Sequence, residues 1–168
     1  MSYELYLFKP RAGIDPLETV EELFSGEEIS PSFPQPEKEI RKHRLADALK
    51  NLNPELEVFA FGFNEMSEMD SIFEEEENVN HRHLELNEAE ADNGIQITLY
   101  DDKANITIPF WHRGEKAKRV FGEIWNYLLL LEKEADFVTV DPQLGKILNL
   151  SGDMPEVLEV YENVVKSI

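Results

Sequence analysis

Apolar side chains recur along this chain with two periods, two and about 3.6, and the switches between them divide it into strands and helices. Residues 3–8 alternate and are rich in aromatics, the pattern of a first strand that Pro10 and Gly13 end. The next run is punctuated as a helix: Asp15 can cap it, Pro16 suits its first turn and Glu18 completes a capping box. Leu17, Val20 and Phe24 share a face, and Gly26 stops it. Three prolines within residues 30–36 demand an extended connector. A second helix then runs to about Leu52, with Leu45, Ala48, Leu49 and Leu52 as its stripe and His43 on the opposite, solvated side.

Residues 56–63 are apolar on both faces, which predicts a central strand covered twice. Residues 81–87 alternate strictly and predict a half-buried strand, with Leu84 and Leu86 inward and His81, His83 and Glu85 outward. Residues 95–100 and 105–111 predict a hairpin in which Leu99 meets Ile106, Ile97 meets Ile108 and Ile95 meets Phe110. Pro109 lacks a donor, so its strand is an edge strand or the pairing stops there. A long helix over 115–134 has Ala117, Val120, Phe121, Ile124, Leu128 and Leu131 as its core stripe. Trp125, Tyr127, Leu129 and Leu130 widen that stripe, so its second half must be deeply buried or meet a partner. A last hairpin joins 137–141 to 146–150, with Gly145 in the left-handed position and Asp141 facing Lys146 as a cross-strand ion pair that is worth little if exposed. Asp153 caps a terminal helix whose Val157, Leu158, Tyr161, Val164, Val165 and Ile168 face the sheet. Hairpins in runs, without strict strand–helix alternation, predict an α+β fold. It has a mainly antiparallel sheet of about five to seven strands and four helices, most of them on one face.

Composition narrows the class. A chain of 168 residues fits one domain, here residues 1–168 with an acidic loop or insertion at about 64–80. An apolar content of 42%, with ten Phe and two Trp, supplies a core, while 30% charged residues keep the surface wet. No apolar run approaches the roughly 20 residues of a membrane helix, and the acidic start does not resemble a signal peptide. Zero cysteines remove disulfides, thiolate nucleophiles and cysteine metal sites, so the expected compartment is the cytoplasm.

Charge is concentrated. Of the formal −19, residues 64–93 carry eleven carboxylates against Arg82 alone, a net of −10. Such a field argues against nucleic acid or an anionic membrane as a partner and favours a basic protein. Glu74, Glu75, Glu76 and Glu77 form its densest run and are the first candidate for partner binding.

Motifs with a defined chemistry are missing: no G-x-G-x-x-G or Walker phosphate loop, no G-x-S-x-G elbow and no H-E-x-x-H helix occurs. No cofactor and no catalytic residues are therefore assigned. His81-x-His83-x-Glu85 puts two imidazoles and a carboxylate on one strand face, the alternative site of a divalent metal, although that face is also the one expected to meet solvent. Asp101 and Asp102 could form an acid–base pair but are also ordinary turn residues. Trp111 and His112, at a strand end before Arg113-Gly114, are the remaining partner-binding candidates.

Three segments carry a resemblance: Tyr3-Glu-Leu-Tyr-Leu-Phe-Lys-Pro10, Ile108-Pro-Phe-Trp-His112 and Val140-Asp-Pro-Gln-Leu-Gly145. Together they resemble small acidic uncharacterised bacterial proteins with an Asp-Pro-Gln turn, some associated with toxin-immunity neighbourhoods. The resemblance implies a fold type and an immunity-type role, with no catalytic residue to carry over. The leading expectation is a non-enzymatic cytoplasmic protein-binding module, an immunity-type inhibitor of a basic target. The alternatives are a metal-dependent enzyme or small-molecule binder built on His81, His83 and Glu85, and a homodimer joined through the Trp125 helix.

Overall fold

A computed structural model describes residues 1–24, 35–61, 83–88 and 93–168. Seven strands, β1 (Ser2–Phe8), β2 (Leu56–Phe61), β3 (His83–Glu88), β4 (Gln96–Leu99), β5 (Lys103–Pro109), β6 (Val138–Asp141) and β7 (Lys146–Ile147), form one sheet in the order β2-β3-β4-β5-β1-β6-β7. Every neighbouring pair is antiparallel. Four helices are described: α1 (Pro16–Phe24), α2 (Pro36–Leu52), α3 (Gly114–Ala135) and α4 (Met154–Ser167). This is an α+β fold. Among the described residues no helix is long and apolar enough to cross a membrane.

Period two sorts the sheet's side chains. Tyr3, Leu5 and Leu7 of β1, Leu84 and Leu86 of β3, and Ile106 and Ile108 of β5 point to one face, where α2, α3 and α4 bury them. Phe8 and Val140 point to the other face, which takes α1 through Leu23, with Val20 and Phe24 packed at its margin. Three helices on one face and one on the other follow from these stripes. All six predicted stripe residues of α3 are buried, and so are Trp125 and Tyr127. Trp125 Nε1 donates to the Leu150 carbonyl at 2.8 Å, so its ring serves this chain's own core, while Leu129 stays 45% exposed.

Three local expectations change, and of the two readings of Pro109 the one in which pairing stops there holds. β2 is not central: it ends the sheet, and among the described residues it pairs only with β3. Its apolar character on both sides therefore leaves Val58, Phe59 and Phe61 exposed by 38%, 45% and 43%. The β4–β5 hairpin slips by two residues, with Ile97 opposite Ile106 and Leu99 opposite Ala104, because the turn needs only Asp101 and Asp102 before Lys103 accepts the Tyr100 N–H at 2.9 Å. An even slip keeps each side chain on its face, so the apolar set stays buried. Pro109 sits on a central strand, past the last residue that pairs with β4 and opposite Ser2 of β1.

Asp141 faces Lys146 in register but does not bind it. Its carboxylate lies on the helix-covered face, fully buried, where it accepts the Tyr3 hydroxyl at 2.5 Å and the backbone N–H groups of Gln143 and Leu144 at 2.9 and 3.2 Å. Burial pushes this carboxyl above its ordinary range against those three donors. Lys146 turns instead to Glu156 at 2.6 Å and Asp153 at 3.5 Å. Gly145 takes the predicted left-handed conformation, with φ +64°.

Candidate functional site

Helix α2 ends at Asn53, and that residue organises the corner from which β2 departs. Its backbone N–H caps α2 by donating to the Leu49 carbonyl at 2.9 Å, and its own carbonyl accepts the Leu56 N–H at 3.2 Å. Its side-chain oxygen accepts the Glu55 N–H at 3.1 Å. The remaining group, Nδ2, faces three oxygens: Glu88 Oε1 at 3.2 Å, Glu123 Oε1 at 3.0 Å and the Tyr127 hydroxyl at 2.9 Å. Tyr127 in turn donates to Glu123 Oε1 at 2.5 Å, and Asn93 Nδ2 donates to Glu123 Oε2 at 3.1 Å.

These groups line a cleft of about 340 Å³ together with Leu52, Glu55 and Asn126. Its charged residues among those described are all acids, so a proton is what can relieve the Glu88–Glu123 pair. The Glu88 carboxyl is accordingly pushed up to about 7, first by its hydrogen bond to Glu123, then by burial and the charges of Glu123 and Glu55, with Asn93 opposing. No sequence motif marks this pair. The available signal was positional: Glu88 continues the inward row of Leu84 and Leu86, and Glu123 lies one turn before Tyr127.

One flank of the cleft is the exposed edge strand β2, which starts beside it at Leu56. The other is Trp111, 59% exposed, whose ring covers Gly94, the residue after Asn93. His112 points the opposite way. It is fully buried, with Nε2 2.6 Å from the Asn93 carbonyl and its backbone N–H donating to the Tyr161 hydroxyl at 3.1 Å. Burial lowers the His112 pKa, and Lys116 adds to that against the opposing hydrogen bond to the Asn93 carbonyl. Of this pair, Trp111 is the residue placed to meet a partner.

On the face of the sheet away from α2, the Phe61 ring stacks on His83 with centroids 5.0 Å apart, and Tyr100 lies 5.4 Å from His83 on its other side. His83 Nε2 lies 3.0 Å from Glu85 Oε1, so these two predicted metal ligands engage each other. His81, and Glu74, Glu75, Glu76 and Glu77 with the rest of the segment at 64–80, lie outside the described residues. Among the described residues no group of three His, Asp or Glu side chains could hold a metal ion.

Asp101 and Asp102 serve as an anchor for α2. Lys38 and Arg41 reach Asp102 at 2.6 and 3.3 Å, Arg41 also donates to the Asp101 carbonyl, and the fully buried Lys42 lies 2.6 Å from Asp101 and 3.0 Å from Glu39. Two turn carboxylates held by three cations are an electrostatic clamp. Comparison with protein-family models, with curated proteins and with solved structures finds no match.

Proposed function

We propose that this chain is a non-enzymatic protein-binding module for a basic partner, working in the cytoplasm as an immunity-type inhibitor. The exposed apolar edge of β2 carries this reading. Val58, Phe59 and Phe61 stand on a terminal strand that pairs on one side only among the described residues, the geometry that accepts an added strand from another chain. Main-chain hydrogen bonds would give such a complex its register, and the two phenylalanines would give it buried aromatic contacts.

Charge supplies the choice of partner. A formal −19 raises the encounter rate with a basic surface and repels nucleic acid and anionic lipid. Trp111 and the acids of the corner cleft extend the same surface beyond the strand. A basic target that the cell must keep inactive, such as a toxin, fits this combination, and zero cysteines suit a reducing compartment. The test has two arms. An adjacent toxin gene in the native genome favours the inhibitor reading, whereas an adjacent metabolic operon counts against it. With the encoded basic protein in hand, Phe59→Ser/Phe61→Ser should weaken binding at least about tenfold at unchanged melting temperature. Equal affinity of the double variant and the wild type would rule out β2 as the seat.

A further inference from the structure

The corner built on Asn53 has a property that the partner-binding reading does not use. One amide nitrogen holds a carboxylate oxygen from β3 and another from α3, and among the described residues the other side-chain donors on the pair are Asn93 and Tyr127. The groups facing Glu88 are Glu123 and Tyr127 from α3, Glu55 from the α2–β2 connection, and the neutral amides of Asn53, Asn93 and Asn126. Glu90 and Asp92, which stand between Glu88 and Asn93 in the sequence, lie outside the described residues. Among the described residues no lysine, arginine or histidine lines this cleft, and neither Glu88 nor Glu123 forms a salt bridge.

Two ionised carboxylates that share one amide, with no cation beside them among the described residues, repel each other, whereas one proton between them turns repulsion into a hydrogen bond. We propose that Glu88 and Glu123 form a proton-operated latch on the corner where α2 passes into β2, closed when the pair holds a proton and loosened when it loses it. The output follows from what Asn53 does with its other atoms. Its oxygen holds the Glu55 N–H and its carbonyl holds the Leu56 N–H, the first residue of the edge strand. A corner that opens therefore frees the start of β2, the strand offered to a partner.

The sign is fixed by linkage. Glu88 holds its proton more tightly in the folded state than in the unfolded chain, so the stabilisation is fully present below its ordinary value near 4.5 and is lost as pH rises through about 7. Mildly acidic and mildly alkaline conditions thus lie on opposite sides of the transition. The latch needs no partner, so its failure would leave the partner-binding reading untouched.

The experiment uses the whole chain and needs no ligand. The Glu88 side-chain carboxyl is followed by carbon-13 NMR from pH 4 to 9, and amide exchange at Glu55 and Leu56 is measured at pH 6.0 and 8.5 after correction for intrinsic rates. Wild type should show Glu88 titrating near 7 and a fall of about tenfold in protection at both amides across that interval. Glu88→Gln, a neutral isostere of the protonated acid, should keep the two amides protected at both pH values, within about twofold. Should that variant fail to fold, Glu123→Gln takes its place and should bring the Glu88 titration down toward its ordinary value. Glu88 titrating at the ordinary value in wild type, or equal protection of the two amides at pH 6.0 and 8.5, overturns the latch.

Discussion

Leu128 and Leu129 are consecutive residues on α3 with the same side chain, one fully buried and the other 45% exposed, so truncating each in turn measures where the core ends. Leu128→Ala removes an isopropyl group from complete burial. At roughly 0.8 kcal/mol for each buried carbon, the lost transfer free energy is about 2.4 kcal/mol. Leu128 sits among the sheet-facing side chains of a three-helix layer, so the hole can collapse only in part, and the cavity contribution brings the total to about 3–5 kcal/mol. The same truncation at Leu129 begins from a half-solvated side chain and leaves no enclosed hole. Its cost should be about 1 kcal/mol or less. Urea unfolding followed by far-ultraviolet dichroism measures both, provided the m-values match wild type so that midpoints report stability alone. Equal midpoints for the two variants would refute the placement of the helix face, and with it the packing of α3 against the sheet.

Three more outcomes follow from single contacts. Tyr3→Phe should cost about 1.5–3 kcal/mol in urea unfolding, because the buried Asp141 carboxyl loses its 2.5 Å hydroxyl donor; a cost below about 0.5 kcal/mol would mean that the two backbone donors suffice. Gly94→Ala should destabilise by more than about 1 kcal/mol and shift tryptophan emission, since φ is +63° and a Cβ would run into the Trp111 ring; unchanged stability and emission would contradict this. Zinc at neutral pH should leave the melting temperature where it is, because His83 and Glu85 engage each other; a rise that His83→Ala abolishes would restore the metal alternative.

Helix faces and strand alternation were legible because they repeat. The α3 stripe, the inward Leu84 and Leu86, the antiparallel sheet and the left-handed Gly145 all follow from period or turn chemistry that a single chain displays. What the sequence did not reveal depends on pairing between distant segments. An apolar run such as 56–61 looks the same at a sheet edge as at its centre, since only the neighbour decides whether Phe59 is covered. Polar residues were assigned to solvent by default, which hid Lys42 and Asp141. Both occupy inward positions, Lys42 three residues before Leu45 on the α2 stripe and Asp141 two after the buried Thr139. The Glu88–Glu123 pair was illegible for a similar reason: 35 positions separate its members, and the Asn53 that joins them comes from a third element.

Site-specific photocrosslinking in the native cell reads whether β2 meets a basic protein. A photoreactive residue replaces Phe59 on the edge strand in one strain and Glu132, on the exposed side of α3, in another. One discrete adduct, to a basic protein, should form from position 59 and none from position 132. The same purified protein should then lose at least about tenfold in affinity for Phe59→Ser/Phe61→Ser. No adduct from position 59, or the same adduct from both positions, would contradict partner binding through β2.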